Sequence, residues 1–470
     1  MREAGTLVVA VLLSVPAQAQ SRAVVSDFPS APIAPRSNIY ALNVQDVAPS
    51  PAKDSTPSPA SDKQQLTRLQ AEQMAIKNNP RISVSKLLAL AQHQVVLEAR
   101  SGELPIVNGS ITAEKALDAS RISSGSLTAS RLFTHTGAGG NVSQLITDFG
   151  RTHNLVLTQK LQERAANASA LATQEEIVLA TDQAFYDALT AQAVLQVARQ
   201  TVATRQATQT QVNQMTQNKL RSTLDLSFAD VNLSQSQLLQ LDAQNNADAT
   251  MATLDAVLGF DHPITYGLVD DSTASNAPPG DYGQLIQTAL AQRPDLQSLA
   301  FGQQSAQKFA RAQWDQRLPS ISALGTAGSV PIRTDQYYTA NWWGAVGVNV
   351  NIPIFNGFLY SSEAREAVYR SQADAERTRD LRDQIVRDVR TAWLQANTAY
   401  QRISVTTQLL KEANLSLQLA QTRYQLGLSS IVELSQAQLQ QTSAAIDNTN
   451  ALYQYRLSLA TLNYQIGTNP

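Results

Sequence analysis

The chain is a tandem duplication, and this feature restricts its possible folds more than any other. Ala75, Pro80 and Leu104 recur as identical residues 214 positions later. From about residue 146 onward the matches keep an offset of 208, so the first copy carries six additional residues. Because one register persists over about 80 residues, we predict two large equivalent units. The later matches include Ile177, Ala184, Leu226 and Gly259, which recur as Ile385, Ala392, Leu434 and Gly467.

The amino terminus has the pattern of an export signal. Arg2 precedes the apolar run 7–13, and Ala17-Gln18-Ala19 matches the small-x-small cleavage pattern. The run is shorter than the roughly 20 residues that a membrane-spanning helix needs. No later segment resembles such a helix, so any membrane crossing is predicted to use β-strands. We assign 1–19 to a signal peptide and the Pro-, Ser- and Ala-rich segment 20–63 to a flexible arm.

The remainder divides into repeat 1 (64–259), an inter-repeat linker (260–280) and repeat 2 (281–470). Each repeat is predicted to contain, in order, a helix, two strands, a very long helix, a turn and a helix. The strands are expected at about 104–117, 132–146, 320–330 and 342–355. The long helix of repeat 2 is expected over 358–426, which lacks proline and internal glycine, and would be about 100 Å long.

The long helices carry a heptad pattern of small and apolar residues, which is typical of a coiled coil. Uncharged polar residues cover much of the remaining surface. A helix that packs against neighbours along two narrow strips, and exposes its other two faces to solvent, fits this composition. Helices in the wall of a hollow cylinder have this arrangement. A solid coiled-coil rod explains the heptads equally well but leaves the strands unexplained. The pattern runs through Ile177, Ala184, Ala188, Ala191, Leu195, Ala198 and Val202, and through Ile385, Val389, Ala392, Ala396, Ala399, Ile403, Leu410, Ala413, Leu417, Ala420 and Tyr424.

The last predicted strand alternates apolar and polar residues, with Val346, Val348 and Val350 on one face. Aromatic residues stand at or just before its start and are candidates for the interfacial girdle of a membrane barrel; an ordinary solvent-facing hairpin is the alternative. Four strands cannot close a barrel, which needs about eight. If these strands lie in a membrane, the protein must therefore oligomerise. The aromatic residues are Tyr337, Tyr338, Trp342 and Trp343.

Several functional classes are disfavoured by the composition. With no cysteine, the chain has no disulfide framework and no thiol nucleophile. Its 36 Lys and Arg residues balance 38 Asp and Glu residues. The chain therefore has no excess of basic residues that would indicate nucleic-acid binding. The four histidines have no metal-ligand spacing, and no catalytic or phosphate-binding motif occurs. We therefore expect no enzyme activity, metal or cofactor. The glycine-rich run 137–140 lies in a predicted strand and indicates close backbone packing.

These features together resemble the TolC-like outer-membrane efflux protein family, over about residues 64–468. The segment Ile354-Phe355-Asn356-Gly357 and its counterpart Asp148-Phe149-Gly150 stand where a strand enters a long helix. The strongest mark is the turn from Tyr424 to Leu434, which is similar to the family's Tyr-x-x-Gly-x-x-x-Ile-Val-acid turn.

The resemblance implies a mainly helical fold with a small transmembrane β part. In that family three chains of four strands form a 12-stranded barrel in the outer membrane, which continues as a helical coiled-coil tunnel through the periplasm. The implied function is passive export, with porin-like activity, in a tripartite efflux or type I secretion system. The implied partners are two further copies of the chain, outer-membrane lipid, a periplasmic adaptor and an inner-membrane pump of the RND, ABC or MFS type.

The resemblance also implies roles for residues of the two turns. Glu433 falls where the family has an acidic ring at the tunnel entrance, and Gln436 replaces a second acid one turn later. Asp225, the repeat equivalent of Glu433, and Tyr424 match positions whose hydrogen bonds hold the entrance closed. An adaptor contact would then shift the population towards the open state. Acids in a first helical turn also favour the helix dipole, and Tyr424 also continues the heptad pattern, so plain structural roles remain alternatives.

The turns themselves match the family's adaptor-contacting region. Gly427 also ends a helix, which is a sufficient reason for glycine there. Ser429 replaces the family's basic partner in the closed state, and Arg221 of the other turn is a candidate substitute. Lys219 stands where the family usually has glycine, so the resemblance does not extend to the geometry of that turn. The candidate adaptor contacts are Lys219, Leu220, Gly427 and Leu428.

A second class of function competes with the export channel. A trimeric coiled-coil structural or spacer protein of the periplasm or cell surface would use the same heptads. The paired strands at matching places in both repeats favour the channel.

Overall fold

The structure, a computed structural model, describes residues 64–115, 121–122, 130–131, 135–264, 266–270, 277–329 and 342–468. The predicted signal peptide and flexible arm, and the candidate interfacial residues Tyr337 and Tyr338, lie outside the described residues. In the described ranges the elements follow in the order β1 (Gln64–Leu66), α1 (Arg68–Asn78), α2 (Pro80–Ser101), β2 (Ile106–Glu114), β3 (Arg121–Ile122), β4 (Ser130–Arg131), β5 (His135–Thr147), α3 (Arg151–Gln217), α4 (Thr223–Leu258), β6 (Tyr266–Leu268), α5 (Tyr282–Gln292), α6 (Pro294–Asp315), β7 (Ser320–Ser329), β8 (Trp342–Asn351), α7 (Leu359–Gln425) and α8 (Ile431–Ile466).

The two halves of the chain form equivalent helices. The long helices α3 and α7 each have 67 residues, and α4 and α8 each have 36. At about 1.5 Å per residue, α3 and α7 are each about 100 Å long. The boundaries of α7 lie one residue inside the predicted range at each end. The heptad prediction is confirmed as well, because Ala188 and Ala396, for example, are completely buried.

The single helix predicted before each strand pair is instead two helices, and this part of the prediction was wrong. Pro80 and Pro294 begin α2 and α6 at the first helical turn. Proline has no N–H to donate to the preceding turn, and it disfavours a helical conformation in the residue before it. In the first repeat the side chain of Asn79 accepts a 2.9 Å hydrogen bond from the Arg81 N–H, which caps the new helix.

A short parallel strand pair was not predicted. Strands β1 and β6 pair from Gln64 with Tyr266 to Leu66 with Leu268. Strand β6 lies within the segment 260–280, expected to be only a linker. Leu66 and Tyr266 are buried in one core cluster with residues of α1, α3 and α4. This pairing therefore anchors the start of repeat 1 against the segment that follows it.

Both repeats contribute to one antiparallel sheet in the order β2-β5-β7-β8. The junction between the repeats is the β5–β7 pair, where Gly139 lies opposite Gly328. A Cβ atom on Gly328 would lie 2.8 Å from the Ala138 carbonyl oxygen. The close backbone packing predicted for the glycine-rich run is therefore confirmed.

The sheet has one apolar and one polar face. Paired residues share a face, so the register places Val107, Val142, Gly325 and Val346 in one row. The neighbouring row on the opposite face contains Asn108, Asn141, Thr326 and Ala345. Strands β2 and β8 are the two edges of the four-stranded sheet.

Helix contacts dominate the rest of the described chain. Helix α3 packs on α4, α7 packs on α8, and α3 also contacts α8. Within the described ranges, none of the helices combines the length and the apolar character needed to span a bilayer.

Candidate functional site

The candidate site lies where each long helix reverses into its shorter partner. Turn 1 comprises the five residues 218–222 between α3 and α4. Turn 2 comprises the five residues 426–430 between α7 and α8. These two turns and the adjoining ends of the helices contain the residues that the family resemblance selects.

The backbones of the two turns have the same geometry. Lys219 and Gly427 both have positive φ angles, 61° and 75°. Leu220 N–H donates to the Met215 carbonyl and Leu428 N–H donates to the Arg423 carbonyl, both at 2.8 Å. These are the hydrogen bonds of a Schellman helix end. Turn 1 thus adopts the glycine-type geometry although lysine occupies the left-handed position, an outcome that the resemblance did not predict.

Each turn ends in a serine that caps the next helix. The Ser222 side chain accepts a 3.2 Å hydrogen bond from the Asp225 N–H, and Ser430 accepts a 3.4 Å bond from the Glu433 N–H. These caps place both acids in a first helical turn, where the helix dipole stabilises negative charge.

Behind the turns the four helices share an apolar cluster centred on Tyr424, which is 1% exposed. Burial raises the pKa of the Tyr424 hydroxyl; Asp225 adds to the rise and Arg221 opposes it. Hydrogen bonds of Asp225 and Tyr424 are expected to hold the entrance closed. In the described part of the chain the Tyr424 hydroxyl has no hydrogen-bond partner. The cluster consists of Val212, Leu226, Ala229, Leu417, Ala420, Tyr424, Ile431, Leu434 and Ala437.

Arg221 connects turn 1 to the end of α7. Its Nη2 donates a 2.8 Å hydrogen bond to the Tyr424 carbonyl oxygen. Its guanidinium carbon also lies 4.4 Å from the centre of the Tyr424 ring, within the range of a cation–π contact. The candidate substitute for the family's basic residue therefore does reach Tyr424, through the carbonyl and the ring rather than the hydroxyl.

Glu433 forms an ion pair within its own helical hairpin. The Arg423 Nε lies 3.1 Å from the Glu433 Oε1, and both side chains are about half exposed. Gln436 is exposed one turn further along α8. Sequence reasoning missed Arg423, although its position four residues before Gly427 places it at the turn.

The four predicted adaptor contacts are all exposed. Leu220 is 72% exposed and Leu428 is 66% exposed. Lys219 and Gly427 lie beside them on the surface of each turn. The turns therefore present two equivalent apolar side chains to solvent.

The described interfacial aromatics lie at the start of the edge strand β8. Trp342 pairs with Ser329 and Trp343 with Gly328, so the two indoles point to opposite faces of the sheet. Both are substantially exposed. Among the described residues, no group of three or more acidic or histidine side chains could hold a metal ion.

Comparison with known proteins gives a consistent result. The family model described as outer membrane efflux protein matches residues 72–260 and 285–468. The outer membrane protein TolC of Salmonella enteritidis is 24% identical over 417 residues, which cover 85% of this chain and 82% of that protein.

Two solved channels share the fold. The structure of the outer-membrane channel OprN has a TM-score of 0.76 at 17% identity, covering 86% of this chain and 90% of that one. The Campylobacter jejuni CmeC outer membrane channel also has a TM-score of 0.76 at 17% identity, covering 85% of each chain.

The matched segments include both long helices, both turns and all four strands of the shared sheet. Proteins of this kind are channels of the outer membrane that serve export, and they are passive conduits rather than enzymes. The chain belongs to the outer membrane efflux protein family.

Proposed function

We propose that three copies of this chain form a 12-stranded barrel and a continuous helical tunnel for passive export. The observation that carries this proposal is the pair of unpartnered sheet edges, β2 and β8, within the described four-stranded sheet. Backbone N–H and C=O groups at a sheet edge need partners in a lipid environment. Pairing β8 of one copy with β2 of the next supplies those partners and closes the sheet.

The duplication specifies the register of that pairing. Within the chain, β5 of repeat 1 pairs with β7 of repeat 2, and Gly140 lies opposite Ala327. The repeat equivalents of these two residues are Val348 in β8 and Ala113 in β2. We expect Val348 of one copy to lie opposite Ala113 of its neighbour, which keeps the apolar face continuous.

The two faces of the sheet suit this arrangement. The face with Val107, Val346 and Val348 would contact lipid, and the face with Asn108 and Asn141 would line water. Val346 is 92% exposed in the single chain. Trp342 and Trp343 would lie at an end of the barrel, where aromatic residues favour the membrane interface.

The helices carry a second set of unpartnered surfaces. Within the chain the hydroxyl oxygen of Thr201 in α3 lies 3.4 Å from the hydroxyl oxygen of Thr442 in α8. The repeat equivalent of Thr201 is Leu409 of α7, which is exposed. Because α4 is the repeat equivalent of α8, Leu409 would contact α4 of the next copy. Helix α4 also exposes apolar residues. These are Leu224, Phe228, Val231, Leu238 and Leu241.

The turns would then form the tunnel entrance. Three copies of Glu433 around a threefold axis would attract cations, and Gln436 would leave the ring with one acid per chain. Asp225 and Tyr424 would lie at the contact between hairpins that must separate when the entrance opens. The exposed Leu220 and Leu428 would contact a periplasmic adaptor that couples the channel to an inner-membrane pump.

The trimer is tested by the native mass of the full chain extracted from outer membranes in mild detergent, followed by conductance in planar bilayers. We expect a heat-dissociable trimer that forms ion-conducting channels. A soluble monomer or dimer without conductance would contradict the channel and favour the coiled-coil spacer.

The acidic ring is tested by ion selectivity in the same bilayers. Glu433→Gln should lower cation selectivity, and Gln436→Glu should raise it. Glu412→Gln, a matched control on α7 away from the turn, should leave selectivity unchanged. Unaltered selectivity in both turn variants would contradict the entrance role of Glu433.

Adaptor contact is tested by a photo-crosslinking amino acid at Leu220 or Leu428 in cells, with the same group at Leu241 as a control. We expect an adaptor adduct, identified by mass spectrometry, from the turn positions alone. Absence of any such adduct from both turns would contradict this part of the proposal.

A further inference from the structure

A cavity of about 220 Å³ lies between α3, α7 and α8 and adjoins the apolar cluster around Tyr424, since Leu417 belongs to both. Apart from three small or apolar side chains and Arg205, its lining consists of uncharged polar residues. No acid lines it. The polar residues are Gln200, Thr201, Thr204, Gln421, Gln438, Gln441 and Thr442.

Arg205 is the charged group of this cavity, and it is 7% exposed. Its Nη1 donates to the side-chain oxygen of Gln438, which is its hydrogen-bond partner in the described chain. No carboxylate of the described residues lies within 4.0 Å of the guanidinium. Arg293, the other arginine buried among the described residues, differs in having an ion pair with Asp295.

A buried guanidinium without an anion is energetically unfavourable. Arginine remains charged at all ordinary pH values and has five N–H donors. Removing such a charge from water is unfavourable unless an anion and hydrogen bonds compensate. Consistently, burial lowers the pKa of Arg205, with no carboxylate acting in the opposite direction. The site thus combines an uncompensated positive charge with space beside it.

Several polar neighbours of Arg205 already have partners. Gln438 also donates through its Nε2 to the Thr208 hydroxyl at 3.2 Å. The Thr204 hydroxyl donates to the Gln200 carbonyl at 3.0 Å. Gln200 and Gln421 also line the cavity, and among the described residues their side-chain amides have no hydrogen-bond partner. They are therefore available to donate hydrogen bonds into the cavity.

The repeat equivalents show that the site is specific to one interface. Arg205 corresponds to Ala413 in repeat 2, and Gln438 corresponds to Asp230 in repeat 1. The buried arginine of the α3–α8 contact therefore has no counterpart in repeat 2.

We propose that this cavity binds a small inorganic anion of the size of chloride, held by Arg205 with the amides of Gln200 and Gln421. A water molecule occupies about 30 Å³ in the liquid, so the cavity has room for an anion with several waters. The bound anion would neutralise Arg205 and stabilise the packing of α3 against α8. The inference depends on the fold of the single chain and not on the proposed trimer.

The test uses the detergent-solubilised full chain at constant ionic strength, with sodium chloride replaced stepwise by sodium gluconate. We expect the apparent Tm to rise by roughly 2 °C with chloride and to saturate. Arg205→Gln should abolish the dependence. Arg199→Gln should retain it, because Arg199 lies on the same helix and bonds Gln244 on the exposed surface. If Arg205→Gln fails to fold, Arg205→Lys keeps the charge and should show a weaker dependence.

Crystals soaked in sodium bromide test where the anion binds. We expect an anomalous peak beside Arg205 in the wild-type protein and none there in Arg205→Gln. A Tm indifferent to chloride, with no bromide at Arg205, would overturn the proposal and leave a guanidinium that is only hydrated. An equal chloride response in Arg205→Gln would also overturn it, since that response would be a general salt effect.

Discussion

The two turns have one backbone but different side-chain connections. Each has a left-handed residue, a Schellman hydrogen bond and a serine cap at equivalent positions. Arg221 of turn 1 contacts Tyr424 of the other helical hairpin. Arg423 and Glu433, which lie on either side of turn 2, instead pair with each other within one hairpin. The main-chain geometry is thus the same in both repeats. The side chains differ, because Arg221 of turn 1 contacts the other hairpin and Arg423 beside turn 2 does not.

The largest expected effect of breaking this asymmetry comes from Arg221→Ala. A hydrogen bond from a charged donor contributes about 2 kcal/mol, and this variant also loses the ring contact. We expect amide hydrogen exchange at residues 424–428 to become about 30-fold faster, since each 1.4 kcal/mol changes an opening equilibrium about tenfold. Arg423→Ala is the matched control and should change the exchange less than about threefold, because its ion pair is exposed. Equal effects of the two variants would contradict the bridging role.

Tyr424→Phe should have the next largest effect, and in the stabilising direction. The Tyr424 hydroxyl is buried without a partner in the described chain, and such a group costs about 1–3 kcal/mol. We therefore expect the region around Tyr424 to gain about 1 kcal/mol of stability, measured as slower exchange of the same amides. Faster exchange in this variant would show that the hydroxyl has a partner, for example on another copy in the assembled channel. Such a result would support the expected role of Tyr424 in holding the entrance closed.

The left-handed position provides a reciprocal pair of substitutions. A non-glycine residue at positive φ costs roughly 1 kcal/mol. Lys219→Gly should stabilise turn 1 by somewhat less than about 1 kcal/mol, and Gly427→Ala should destabilise turn 2 by about 1 kcal/mol. Chemical denaturation of the two variants, compared with the wild type, measures both. Changes of the same sign would contradict the equivalence of the two backbones.

The smallest stability effect is expected from Glu433→Gln. An exposed ion pair contributes between 0 and about 1 kcal/mol, so denaturation should shift by less than about 0.5 kcal/mol. The same variant should change ion selectivity, as proposed above. A large loss of stability would instead assign Glu433 a structural role and weaken its interpretation as an entrance residue.

Local patterns in the sequence predicted most of the regular structure. The heptad pattern and the absence of proline located α7 to within one residue at each end, and the alternation of Val346, Val348 and Val350 located β8. The break at Pro80 was missed because the helical pattern continues on both sides of it. The β1–β6 pair was missed because three-residue strands joined across nearly 200 residues leave no periodic signal.

The site was harder to predict than the fold. The turn sequence identified Tyr424, Glu433 and Asp225, but not the contacts of their side chains. Which acceptor Arg221 reaches depends on how two hairpins pack, and the sequence of one turn does not contain that information. Lys219 adopts the left-handed conformation because the surrounding helices impose it, against the preference of its own residue type.

The central claim, that the contact between copies repeats the contact between repeats, is tested most directly by disulfide cross-linking. The chain contains no cysteine, so the double variant Val348→Cys with Ala113→Cys introduces a single possible pair. Opposite residues of an antiparallel pair have Cα atoms about 4.5–5.5 Å apart, which suits a disulfide. Oxidation in outer membranes should therefore give a covalent trimer on a denaturing gel. The control pair Val348→Cys with Thr112→Cys, shifted by one residue onto the other face, should not cross-link. Cross-linking of the control pair but not of the predicted pair, or of neither, would contradict the account.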